Sequence, residues 1–318
     1  MIDVITLGEI LIDLTYSGNN AEGFPMFSAH PGGAPANFLA TLSRFGAKTA
    51  MIGKVGTDRF GKMLIGTLRE CGIETRGIIS TDDVFTTLAF VTLDERGERE
   101  FSFARKPGAD TQLRFEEIDL SLVDSARVFH FGTLSLTHEP ARTATYKAVA
   151  YAKKAGKLIT YDPNLRKPLW SSMAEAKEQM LWGLRAADVV KISDDEVEFL
   201  FGASPEQGAK LILEQFGVKL VFVTCGADGC VFASRNAFGH VPGLKGLKVI
   251  DTCGAGDIFG GSAVWGVLSS GKTPEELDTS ELHKIVGFAC AAAGLSTQRS
   301  GGISSIPTQE EVMAKTRG

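Results

Sequence analysis

Short, almost wholly apolar runs alternate with longer amphipathic ones along most of this chain. That rhythm constrains the fold more than any single motif. Val4-Ile5-Thr6-Leu7, Thr49-Ala50-Met51-Ile52, Arg127-Val128-Phe129-His130-Phe131, Leu158-Ile159-Thr160-Tyr161, Val189-Val190-Lys191-Ile192 and Leu220-Val221-Phe222-Val223-Thr224 read as strands. Helical patterns fall between them near 36–45, 58–71, 140–155, 173–186, 205–216, 258–269 and 281–295. Strands apolar on both sides need cover on both faces, which predicts a doubly wound, largely parallel α/β sheet flanked by helices. Ligands of such sheets bind beyond the C-terminal strand ends, where the unusual residues of this chain collect.

Two segments break the alternation. Residues 10–30 follow the first strand with Leu11-Ile12-Asp13-Leu14-Thr15 and then a polar stretch. Residues 85–104 hold two period-two runs, 87–92 and 98–103, joined by Asp94-Glu95-Arg96-Gly97, a hairpin signature. Together they predict a small β-sheet lid over a site. No linker looks long enough to separate independent domains, so a single domain over 1–318 is expected.

Composition narrows the function class. The 44% hydrophobic content and 36 glycines suit a compact enzyme. A net charge of −5 without a Lys/Arg block argues against a nucleic-acid partner. No apolar run reaches the ~18–20 residues of a membrane helix and no signal-peptide pattern opens the chain, so the mature protein is expected to begin at Met1. Five scattered cysteines without paired metal spacing read as reduced thiols of a cytoplasmic protein. The five histidines show no mutual spacing for a metal site or a triad and are assigned no role.

Chemistry is written most densely in Val249-Ile250-Asp251-Thr252-Cys253-Gly254-Ala255-Gly256-Asp257, between an apolar run and a helical pattern. Small residues at a helix N-terminus leave backbone N–H groups free to hold a phosphate or a developing oxyanion. A carboxylate beside them can take a proton from a hydroxyl, and the two together suffice to move a phosphoryl group onto an alcohol. An acidic first helical turn after a glycine turn explains the same residues structurally. Pro31-Gly32-Gly33-Ala34-Pro35-Ala36-Asn37 precedes a helix, and its glycines let backbone approach a ligand while Asn37 offers a donor and an acceptor. Asp13, just past the first strand, is placed to accept sugar hydroxyls. Asp162-Pro163-Asn164-Leu165-Arg166 ends a strand, and Arg166 can clamp a phosphate or sugar oxygen. Ser193-Asp194-Asp195-Glu196 fits an N-cap with an acidic first turn. The turn from Thr224 through Gly226 to Gly229 suits backbone contacts to a nucleotide. Gly56-Thr57-Asp58-Arg59-Phe60-Gly61-Lys62-Met63 nearly spells a P-loop, but Met63 stands where a hydroxyl must ligate Mg²⁺, so it reads as a turn into a helix.

Read in order from Gly8-Glu9 to Ile306-Pro307, these segments resemble the ribokinase (PfkB) family of carbohydrate kinases, with its fructokinase branch nearest. Gly32-Gly33-Ala34-x-Ala36-Asn37 matches one family signature and Asp251-Thr252-x-Gly254-Ala255-Gly256-Asp257 the other. The resemblance implies a ribokinase-like fold, ATP and Mg²⁺ as cofactors, and phosphorylation of a primary sugar hydroxyl, fructose to fructose 6-phosphate. It casts Asp257 as the base and the amides of Gly254, Ala255 and Gly256 as an anion hole. Asp13, Gly32, Gly33, Asn37 and a lid Arg105 would contact sugar. Ser193, Thr224, Gly226, Gly229 and Gly256 would contact ATP. Glu196 would serve Mg²⁺, and Asp251 and Ser305 a K⁺ ion. Ser193 stands where the family has Asn, and Lys106 where the branch has Asn, a cation that would suit an acidic or phosphorylated sugar. The alternatives are a kinase for 2-keto-3-deoxygluconate, a ribosyl compound or another ketose, and an inactive sugar-binding regulator. Small-molecule sugar and ATP are the expected partners, with a homodimer joined through the lid.

Overall fold

A computed structural model of the chain describes residues 1–93 and 99–316. The strands are β1 (Ile2–Leu7), β2 (Leu11–Asn19), β3 (Pro25–Gly32), β4 (Thr49–Gly56), β5 (Ile78–Thr81), β6 (Leu88–Leu93), β7 (Arg99–Ala104), β8 (Ala126–Gly132), β9 (Leu158–Asp162), β10 (Val189–Ser193), β11 (Leu220–Thr224), β12 (Cys230–Ser234) and β13 (Phe238–Val241). The helices are α1 (Ala34–Arg44), α2 (Arg59–Glu70), α3 (Leu120–Asp124), α4 (Ala141–Lys154), α5 (Met173–Ala186), α6 (Asp194–Phe201), α7 (Pro205–Phe216), α8 (Ala255–Ser269), α9 (Thr279–Ser296) and α10 (Gln309–Thr316).

The apolar strands form one nine-stranded sheet in the order β13-β12-β11-β10-β9-β8-β1-β4-β5. Pairing is parallel from β5 to β11 and antiparallel only at β12 and β13. Alternate residues face opposite layers. Ile5, Leu7, Phe129, Phe131, Ile159 and Tyr161 pack in one core cluster with residues of α4 and α5. Val4, Met51 and Val128 pack on the other face with α1 and with Ile258 of α8, while Val189, Phe222 and Phe232 meet α8 and α9. Strand order reverses direction at β1, which lies between β8 and β4. Ligands of such sheets bind at that reversal.

The two interrupting segments build a separate four-stranded sheet, β3-β2-β6-β7. β6 and β7 pair antiparallel from Leu88↔Ala104 to Leu93↔Arg99, as the period-two runs predict; the turn expected between them, 94–97, lies outside the described residues. The sheet is half-sided. Asp13 pairs with His30 on one face, and Tyr16 with Phe27 on the other. The near-P-loop is a helix start: Asp58 accepts from the amides of Phe60 (2.9 Å) and Gly61 (3.0 Å) at the head of α2. Among the described residues no helix is long and apolar enough to cross a membrane.

Candidate active site

The helix expected from residue 258 begins earlier, at Ala255, with Gly254 as its N-cap. Asp257 therefore sits inside the first turn rather than just before it. Gly254 adopts φ 75°, a left-handed conformation that glycine tolerates without penalty. A β-carbon there would also stand 2.9 Å from the Cα of Gly302. The Ala255 amide donates to the Thr252 carbonyl at 3.3 Å, while the other amides of the first turn of α8 lack intrahelical acceptors, the arrangement by which a helix head receives an anion.

Asn37 fixes Asp257. It lies one turn into α1, 220 positions away in sequence, and its Nδ2 donates to Asp257 Oδ2 at 2.8 Å in a buried contact. Asn37 Oδ1 is buried and has no hydrogen-bond partner among the described residues. Both signatures of the sequence thus meet side chain to side chain. Gly33 holds φ 107°, and a β-carbon on it would press within 2.7 Å of the Glu9 carbonyl. A side chain at Gly32 would overlap the carboxylate of Asp13, so the paired glycines let β1, β2 and the head of α1 converge.

Two site-wall residues had no role in the sequence reading. Lys191 is the one cation in the otherwise apolar β10 core run. Its Nζ lies 3.1 Å from Asp162 Oδ2 at the end of β9, and a β-carbon at Gly256 would stand 3.0 Å from it. Burial works to strip its proton, but the carboxylates of Asp162, Glu196 and Asp257 outweigh that and hold the amine above the ordinary lysine range. Burial in turn pushes the Asp162 carboxyl up, with Lys191 offsetting only part. His130 stacks on Phe38 with ring centroids 3.8 Å apart, and its Nδ1 is 3.0 Å from Thr160 Oγ1. Burial, with Lys191 nearby, drives its imidazole down to about 3, so it is a neutral wall of the cavity. The sequence signals were a lysine inside an apolar strand and a histidine inside another, neither readable without the facing strand.

Other expected site residues are committed to structure. Arg105 is buried: Nε and Nη2 donate to Asp110 Oδ2 at 2.8 and 2.6 Å, Nη1 to Thr137 Oγ1 at 2.8 Å, and Nη2 to the Leu134 carbonyl at 2.9 Å. Those bonds leave one N–H of the fork for a ligand, so its main contacts tie the end of β7 to the core. Ser193 caps α6 and forms a capping box with Glu196. Both Glu196 oxygens accept amides, Oε1 from Leu165 (2.7 Å) and Oε2 from Ser193 (2.9 Å). That arrangement does not fit a direct Mg²⁺ ligand, and no group of three metal-ligating side chains occurs among the described residues. Asp251 accepts from the amides of Cys253 (2.7 Å) and Gly301 (2.9 Å), and Ser305 Oγ donates to the Gly302 carbonyl (2.8 Å). The two candidate K⁺ residues therefore flank one turn, each engaged by backbone. Arg166 is half-buried just beyond β9, leading into a short 3₁₀ turn. Thr224 Oγ1 reaches the Ile192 carbonyl at 3.4 Å, Gly226 opens the 3₁₀ turn, and Gly229 is required by the close backbone of 241–243.

A sequence profile described as pfkB family carbohydrate kinase matches residues 1–309. The chain is 42% identical over 318 residues to fructokinase-2 of Solanum lycopersicum, covering 99% of this chain and 96% of that protein. It is 42% identical over 314 residues to fructokinase-1 of Zea mays, covering 98% and 96%. Among solved structures it is similar to the ATP-bound fructokinase of Xylella fastidiosa, at TM-score 0.88 and 30% identity, covering 100% and 99% of the two chains. The Vibrio cholerae O395 fructokinase with fructose, ADP and calcium aligns at TM-score 0.87 and 32% identity, covering 99% of each.

Proposed function

The chain belongs to the pfkB family of carbohydrate kinases, and on that premise we propose that it transfers the γ-phosphoryl group of ATP to the 6-hydroxyl of fructose. The observation that carries this reading is the buried Asn37–Asp257 contact at the head of α8. It holds a carboxylate next to a helix N-terminus, where a hydroxyl and a phosphoryl group can meet. Asp257 accepts the hydroxyl proton as the sugar oxygen bonds to the γ-phosphorus and the bond to the departing ADP oxygen breaks. The amides of Gly254, Ala255 and Gly256 receive the charge that spreads over the phosphoryl oxygens. Asp13, near the start of β2, and Gly33, just after β3, face the sugar. The small sheet acts as its lid, and Arg105 hinges that lid through Asp110.

Mg²⁺ would enter with the ATP phosphates and offset their charge, and Glu196, whose two oxygens already accept backbone amides, would not ligate it directly. The same reading takes K⁺ at the 251–305 turn, the cytoplasm as the compartment, and a homodimer joined through the lid. The fructokinase names and ligands of the relatives above support fructose as the acceptor. Lys106 is exposed, so a cation there does not by itself redirect the pocket to an acidic sugar. The test is kcat/KM for fructose, ribose, 2-keto-3-deoxygluconate and fructose 6-phosphate, read side by side by coupled ADP release. Fructose should lead the panel by at least tenfold, about 1.4 kcal/mol. A different leader would replace the acceptor, and no turnover with any sugar would remove the kinase.

A further inference from the structure

Gly56, Asp58 and Gly61, the fixed points of the near-P-loop, take no part in the catalytic site, yet all three converge on Thr86 at the root of β6. Asp58 gives one carboxylate oxygen to α2, where Oδ1 accepts the amides of Phe60 and Gly61. The other oxygen, Oδ2, accepts the Thr86 amide at 2.8 Å. Buried Thr86 returns the contact, its Oγ1 accepting the Gly56 amide at 3.0 Å. A β-carbon on Gly56 would stand 2.8 Å from the Thr86 nitrogen, and one on Gly61 would overlap the Gly56 carbonyl. The two glycines are what let these segments close on each other. A helix cap needs one side-chain oxygen, so the second oxygen and the glycines exceed what the start of α2 requires. Burial works against the Asp58 carboxylate, but the Thr86, Gly61 and Phe60 donors outweigh it and hold the acid below its ordinary range.

The contact leads onward to the sugar side. Thr87, next in the chain, gives its carbonyl to the Ile12 amide at 3.2 Å and its hydroxyl to Asp110. From there β6 runs parallel to β2, with Ala89 opposite Asp13. Phe60, beside the clamp, packs against the same apolar cluster as Leu14, Ala29 and Leu88 of the small sheet. A continuous series of bonds therefore runs from Asp58 through Thr86 and Thr87 to Ile12, the neighbour of Asp13.

We propose that Asp58 is a positioning residue for the sugar: by gripping the Thr86 amide it fixes the root of the small sheet against α2 and so sets where Asp13 stands. The proposal rests on the sugar-kinase reading above. Asp58 acts through the backbone of β6 and β2 rather than by touching sugar or nucleotide, so its loss should be felt in sugar binding first.

The competing role is a cap of α2 and nothing more, and two substitutions separate the roles. Serine caps a helix about as well as aspartate but has a single oxygen, so Asp58→Ser keeps α2 and releases Thr86. Asp58→Asn keeps the capping oxygen and turns an NH₂ towards the Thr86 amide, donor against donor. Both variants should raise the KM for fructose by about tenfold and leave the KM for ATP within a few-fold of wild type. Asp58→Ser should melt close to wild type. Hydrogen exchange supplies a reading that a general loss of stability would not mimic. The β6 amides should exchange faster in both variants while the β8 amides keep their wild-type rates, whereas a weakened fold would speed both. An unchanged fructose KM in both variants, an equal rise in both KM values, or β6 amides at wild-type rates would overturn the proposal and leave Asp58 a helix cap. A wild-type protein that turns over no sugar would remove the kinase reading and the sugar's place in the proposal, while faster β6 exchange in the variants would still establish the clamp.

Discussion

Glu9 sits immediately after β1 and is buried, with Oε1 accepting the Ala34 amide at 3.2 Å. Burial, reinforced by Asp110 and only partly offset by backbone amides and Arg105, pushes its carboxyl from 4.5 up to about 8. It is therefore protonated in the folded protein at neutral pH but ionised in the unfolded chain. The folded state binds the extra proton, so this contribution is complete below about 4.5 and is lost as pH rises through about 8. The order of magnitude is about 3–5 kcal/mol across that window. Glu9→Gln, neutral throughout, should flatten the fall in Tm between about pH 5 and 8; an unchanged slope would mean that Glu9 ionises in place. Glu9 was visible in the sequence as an acid straight after the first apolar run. Its burial was not, because it depends on the close approach of Gly33 to the Glu9 carbonyl, a tertiary fact. Asp257, Gly254 and Asn37 were legible because they fall in two ordered signatures, 32–37 and 251–257; acidic, glycine and asparagine residues are by themselves ordinary at a helix head.

At the scale of elements, the apolar runs of the main sheet were readable because a strand buried on both faces has no alternative pattern. The ends were less so. The sequence expectation placed the start of α8 at its first apolar residue, whereas the capping glycine sets it three positions earlier. The small sheet was readable from period-two runs, and its two faces follow from that period. One face carries Asp13. On the other, Phe27 stacks edge-on to Tyr16 at 6.1 Å and to Phe90 at 5.8 Å, and both Tyr16 and Phe27 lie exposed. Exposed aromatic strands at a sheet surface are surfaces that proteins cover. The lid-to-lid dimer predicts that Tyr16→Glu/Phe27→Glu shifts the protein to a monomer in sedimentation velocity, with the fold retained by circular dichroism. A wild-type monomer, or a variant dimer, would contradict it.

Across the whole molecule, the site draws on residues from Glu9 to Ser305, gathered where the C-terminal ends of β1, β8, β9 and β10 meet the heads of α1 and α8. Their order along the chain carries no hint of the Asn37–Asp257 contact or of Lys191 crossing to Gly256; strand order in the sheet makes both. Arg105 illustrates the converse. The resemblance implied a sugar contact, while the neighbouring Asp110, brought back by the turn at 106–109, takes two of its five N–H donors. The central claim is that Asp257 takes the proton while the head of α8 holds the phosphoryl group. Its most direct test is kcat of Asp257→Asn with fructose and saturating ATP. The asparagine keeps the shape but cannot accept the proton, so kcat should fall by roughly 10²–10⁴, about 3–5 kcal/mol in the barrier, with Tm and ATP binding close to wild type. A variant within a few-fold of wild type would make Asp257 only a first-turn carboxylate and contradict the account.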